Sequence, residues 1–167
     1  MGLVGSEGVA LLTAMPHIMA RAANVHDALQ ALADSLRPTI PSLWRASVRT
    51  VLPEQQQLEI VAVWCAVETQ LVPGVRMSLL ATSFPEVSKL DRSVLSSERR
   101  GDSLLVEQVL ASEGVSSWVS IPLHRDGTIV GLLGLSSLDA DAFDSSDLGF
   151  FDRLGRRVEG TFTELMV

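Results

Sequence analysis

The chain is short of several residues on which chemistry is usually built. Its 167 residues include one cysteine, Cys65, one lysine, Lys89, and no tyrosine. A lone cysteine excludes an internal disulfide framework, a CxxC motif and any multi-cysteine zinc site. A lone lysine leaves a single candidate for Schiff-base chemistry or for a lysine at a phosphate cradle. Positive charge is also scarce. Thirteen Lys and Arg against 20 Asp and Glu give a formal charge of −7, the wrong sign for a nucleic-acid-binding face. The longest apolar run, 60–67, is too short to cross a bilayer, and the first residues do not read as a secretory leader. A soluble, cytoplasmic domain without membrane or nucleic-acid contact is expected.

What is present is an ordinary globular composition, 47% apolar and 20% charged, at a length suited to one core. Residues 1–8 hold three glycines and no period, and read as a flexible lead-in to a single domain over 9–166. Val9, Leu12, Met15 and Met19 then fall on one helical face, and Pro16 is placed to kink that helix or to mark a first turn. Asn24 reads as the N-cap of a second helix carrying Val25, Leu29, Leu32 and Leu36 and stopping before Pro38. Strand patterns over 42–51 and 58–67 flank a turn at 53–56 and predict an antiparallel hairpin. The weakly periodic stretch 71–100 reads as a lid, with a solvated crossover as the alternative, and carries short strands at 75–79 and 94–97 and helical turns at 83–90.

A short helix over 104–110 follows. Strands at 115–123 and 128–136 are then joined through Asp126-Gly127, a pair that fits the positive φ angles of a type I′ turn. Finally Leu148, Phe151, Leu154, Val158, Phe162 and Leu165 form an amphipathic stripe with no stop signal behind it. Such a stripe points to packing against a partner helix or to continuation into a further domain. The order of elements is that of an α+β protein with an antiparallel sheet.

Little in the sequence supports an enzyme. His17, His26 and His124 belong to no metal or nucleophile motif, and His124 is expected to be solvated beside its turn. Strict alternation places Cys65 on the side of Glu59, Val61, Val63 and Val67, as an inert apolar residue. Asp139, Asp141, Asp144 and Asp147 lack the glycine and glutamate of a calcium loop and suit the start of a helix.

The strands carry a stronger signal. If Trp44, Ala46 and Val48 pack on the helices, Arg45, Ser47 and Arg49 share the opposite face. The same alternation sends Val119, Ile121 and Leu123 to the helical core and leaves Trp118 and Ser120 opposite. Cations, hydroxyls and an indole beneath a lid that adds Phe84 and Val94 would make a small-molecule pocket. The plainer alternative is a half-exposed sheet with solvated arginines.

Three segments together resemble a GAF domain: Gly114-Val-Ser-Ser-Trp-Val-Ser-Ile-Pro-Leu123, the strand opened by Asp126-Gly127-Thr-Ile-Val-Gly131, and Phe143-Asp-Ser-Ser-Asp147. Ser117, Pro122, Leu123, Gly131, Leu133, Phe143 and Asp147 occupy the matching positions of the family pattern. The resemblance implies a central antiparallel sheet of five or six strands, profilin- or PAS-like. The terminal helices would lie on one face and a lidded pocket on the other. It further implies a non-enzymatic regulatory module that senses a small molecule. Such a module would signal through a homodimer of terminal helices to a covalently linked output domain: a histidine kinase, a cyclic-di-nucleotide enzyme or a transcription regulator. A ligand-free dimerisation scaffold is the alternative.

Departures from the family's subtypes narrow the ligand. Ser136-Ser137, Phe143 and Asp147-Leu148 stand where cyclic-nucleotide binders carry an Asn-Lys-…-Phe-…-Asp-Glu signature. The lid has no cysteine for a bilin, one cysteine is too few for the family's free methionine sulfoxide reductases, and His124 is poorly placed for haem. Ligand and cofactor therefore stay unidentified at this level.

Overall fold

A computed structural model describes residues 5–99, 101 and 103–166. Of the lead-in expected over 1–8, residues 1–4 lie outside the described residues, and helix α1 (Ser6–Met19) opens before the first apolar position. Pro16 sits inside its last turn. Helix α2 (Val25–Leu36) begins where Asn24 Oδ1 accepts the backbone N–H of Asp27 at 2.8 Å. Strands β1 (Leu43–Leu52) and β2 (Gln57–Cys65) form the expected antiparallel hairpin. The chain then crosses the sheet through β3 (Arg76–Ser78), α3 (Phe84–Leu90), β4 (Val94–Leu95) and α4 (Leu105–Ser112). Strands β5 (Ser117–Arg125) and β6 (Thr128–Ser137) follow, and α5 (Leu148–Leu165) closes the fold.

The six strands lie in the order β3-β2-β1-β6-β5-β4, every neighbouring pair antiparallel. Asp126 and Gly127, at φ 52° and 79°, take the two left-handed positions required by the tight β5–β6 turn. Helices α1, α2 and α5 cover one face of the sheet, where Ala46, Val48, Val119, Ile121, Leu123, Leu133 and Leu135 meet Leu29, Leu32, Phe151, Leu154 and Phe162. The segment from 66 to 116 covers the other, setting Leu71, Leu79, Val87, Val106 and Leu110 against Leu58, Ile60, Trp118 and Leu132.

Two irregularities break the period-two pattern. Between Leu43 and Arg45 the pairing of β1 with β6 slips, so that Leu43 joins the helix-side core and Trp44 packs on the opposite side. Trp44 is thus not the helix-facing residue that simple alternation predicts. In β2, Ala62 pairs with Val48 and Ile60 with Arg49, which makes Val61 an extra residue. A bulge of this kind re-aims every side chain beyond it. Cys65 consequently pairs with Arg45 and is separated from the side of Glu59 and Val61.

The α5 stripe is likewise spent inside the chain. Phe151, Leu154, Val158 and Phe162 are fully buried against β5, α1 and α2, so these positions of the stripe are covered by the same chain. Among the described residues, no helix is long and apolar enough to cross a membrane.

Candidate functional site

Residues 45, 47 and 49 alternate out of β1 toward the crossover segment, and the sheet is closed to water above them. Arg45 and Arg49 are only 5% and 7% exposed, which overturns the picture of solvated arginines. Both face a cavity of about 30 Å³, with Ser47 between them and Trp118 and Ser120 contributed by β5. Five of the seven expected site residues are therefore brought together.

The other two are not. Phe84, on α3, lines a separate surface depression with Leu80, Pro85 and Lys89. Val94 is buried in β4, where it pairs with Ser120 and packs in the lid-side core. At the start of α3 the residue that reaches the cavity is Ser83, one position before Phe84, whose hydroxyl lies 2.7 Å from that of Ser120. Strand β6 adds Gly134 and Ser136, positions the period-two rule places on this face. The remaining walls are apolar and include Ile60, Leu71, Val106 and Leu110. Their placement depends on how the crossover folds back, which no local pattern encodes.

Gly134 makes room for the cation. A Cβ there would lie 3.2 Å from Arg49 Nη2 and 3.1 Å from Ser47 Oγ, so the missing side chain lets the guanidinium lie across β6. Hydrogen bonding in the cavity is incomplete. Arg45 Nη2 donates to the Leu71 carbonyl at 3.0 Å, and Arg49 Nη2 reaches Ser120 Oγ only at 3.5 Å. Arg45 Nε, Arg49 Nε and Ser47 Oγ are buried without any partner. Burial, joined by the like charge of Arg45, lowers the Arg49 pKa to about 10, so Arg49 still carries its proton at neutral pH. Burial also lowers the pKa of Arg45, against the raising influence of Cys65 and Glu113.

His124 is not the solvated residue expected from sequence. Its Nε2 lies 2.7 Å from Asp91 at the end of α3, and its Nδ1 3.1 Å from Glu159 on α5. Burial works against the imidazolium, but hydrogen bonds to Asp91 and Glu159 outweigh it and raise the pKa above the ordinary histidine value. Beside this bridge the Ser93 N–H donates to Asp152 of α5 at 2.7 Å. Two polar links thus tie the cavity's cover to the last helix.

With the sheet order, the crossover and the cavity established, one comparison decides the family. A family model for the GAF domain matches residues 22–159, most of the chain. This chain belongs to the GAF domain family. No curated protein sequence matches it. Solved GAF domains share the fold at low identity. The GAF domain of an Acinetobacter phosphoenolpyruvate-protein phosphotransferase superposes with a TM-score of 0.72 at 13% identity, covering 98% of this chain and 97% of its own. The GAF domain of a two-component sensor histidine kinase from Bacillus halodurans gives 0.69 at 18% identity, over 87% and 97%. A free methionine-R-sulfoxide reductase from Neisseria meningitidis, solved with its substrate, gives 0.70 at 16% identity, over 93% and 88%. The same architecture therefore occurs in a phosphotransferase, a sensor histidine kinase and a sulfoxide reductase, and the role of this GAF domain has to be argued from its own cavity.

Proposed function

We propose that this GAF domain is a regulatory sensor that binds a small molecule between Arg45, Ser47, Arg49, Trp118 and Ser120 and performs no chemistry on it. The observation that carries this reading is the set of three unpaired buried polar atoms, Arg45 Nε, Ser47 Oγ and Arg49 Nε, on the strand face that lines one cavity. Unsatisfied buried groups are rare in folded proteins and costly, and a ligand would satisfy them. The histidine-kinase neighbour supports a signalling context. Against catalysis stands the site's composition, since its walls, among the described residues, offer no histidine, carboxylate or cysteine as base or nucleophile.

The cavity of about 30 Å³ is room for roughly one water. A larger ligand must displace the cover, and the cover is tied to α5 through Ser93–Asp152 and Asp91–His124–Glu159. Binding would thereby bias the position of α5, and through α1 and α5, which pack on each other, a linked output domain or second copy. A second reading, a ligand-free dimerisation scaffold, draws on the small cavity. The uncompensated arginines weigh against it, because a scaffold gains nothing from them.

Thermal denaturation of the purified chain against a metabolite panel separates the two. The sensor reading expects a saturable rise in Tm with at least one compound, recovered chemically unchanged. A panel without effect, together with a higher Tm in a cavity-filling Ser47→Leu variant, would establish the scaffold.

A further inference from the structure

Resting on that reading, we infer that the ligand is a short-chain carboxylate, its anionic head held between Arg45 and Arg49 and its uncharged remainder directed at the apolar cover. Two guanidiniums project from positions two apart on one strand face, both more than nine-tenths buried, and among the described residues neither makes an ion pair. Glu113 is the carboxylate whose field acts on Arg45, but its oxygens are taken by the Thr69 hydroxyl at 2.6 Å and the Gln70 N–H at 2.9 Å. Among the described residues, no aspartate or glutamate lines the cavity. Buried cations are normally paired, and one left without a counter-charge destabilises the fold, so an anion is the missing component.

The donors narrow the anion further. Arg45 Nε, Arg49 Nε and the Ser47 hydroxyl are unengaged, a donor set suited to the two oxygens of one carboxylate. Ser83 and Ser120 satisfy each other, which leaves less for the many oxygens of a phosphate. The other walls include Ile60, which pairs with Arg49, and Leu71, Val106 and Leu110 from the crossover, a surface that favours an apolar tail and rejects an ammonium. With no acidic lining residue among those described, amino acids are disfavoured for the same reason.

Four probes at matched ionic strength test this on the purified chain: sodium butyrate, butyramide, butylammonium chloride and sodium nitrate. The inference expects butyrate alone to raise Tm, saturably and by several degrees at a hundred times its Kd. Arg49→Met should fold, with a ligand-free Tm no lower than that of the parent, and should weaken butyrate binding about thirtyfold or more. Butyramide acting as strongly as butyrate would overturn the role of charge while leaving the sensor reading intact. Nitrate acting without butyrate would overturn the carboxylate in favour of an inorganic anion. If neither anion acts but a neutral compound of the wider panel does, the inference fails and the sensor stands. If nothing binds at all, both fall. Undiminished butyrate binding by Arg49→Met would also refute the inference, and should that variant not fold, the four-probe comparison on the parent chain decides alone.

Discussion

The two faces of the sheet are both closed to water, but with different material. On the helix side Phe151, Phe162, Met15, Met19, Leu29, Leu32 and Leu36 are wholly buried, and the polar groups among them are satisfied: Ser117 Oγ donates to the Asp139 carbonyl and Ser137 Oγ to Ser42 Oγ. On the lid side the unpaired buried atoms accumulate. Trp44 Nε1, Arg45 Nε, Ser47 Oγ, Arg49 Nε, Glu86 Oε2 and Ser93 Oγ all lie on that face or in the segment that covers it. One face is close-packed with its polar groups satisfied, and the other carries unpaired buried polar atoms at a cost in stability.

The sharpest way to break that contrast is to remove an aromatic from the helix side. Phe151→Ala should cost about 3–5 kcal/mol in urea denaturation, because a large cavity opens in close-packed surroundings. A comparable loss from a lid-side truncation such as Val106→Ala would erase the distinction. Next in size is Gly155→Ala. Its Cβ would meet Ile121 Cγ2 at 2.6 Å and the Pro122 carbonyl at 3.2 Å, so α5 must back away from β5 at a cost of about 1–3 kcal/mol.

Smaller again is the effect of pH on the bridge between the faces. The His124 pKa is raised in the folded state, so its contribution is complete below the unfolded histidine value and is lost as pH rises through the higher native one. Comparing the parent with His124→Gln should show a stability difference of about 1 kcal/mol or less at acid pH that closes on the alkaline side. A difference that widens with pH would refute the bridge. The smallest change belongs to Ser47→Ala, expected within about 0.5 kcal/mol of zero and on the stabilising side, because an unpaired buried hydroxyl is removed. A clear loss would mean that Ser47 is satisfied after all.

Much of this was legible in sequence where the signal is local. Asp126-Gly127 specified its turn, period two separated Val119 and Ile121 from Trp118 and Ser120, and Arg45, Ser47 and Arg49 emerged on one face as alternation requires. What escaped was set at long range. The slips at Trp44 and Val61 come from pairing with neighbouring strands and leave no mark in composition. The choice of Ser83 over Phe84 as the cavity residue depends on the angle at which α3 enters. His124 finds Asp91 and Glu159, 33 and 35 residues away, and no spacing rule links them. The α5 stripe announced burial correctly but could not name what would cover it, since amphipathicity is blind to whether the partner is the same chain.

The close seat of Gly155 on Ile121 has a mechanical corollary. Strand β5 is a partition one residue thick, with Trp118 and Ser120 against the cavity and Ile121 pressed on a helix that has no side chain to yield at that point. Dense packing leaves no slack to absorb a shift. Whatever pushes on one side of this partition is felt at once on the other, as along a rigid lever rather than through a cushion.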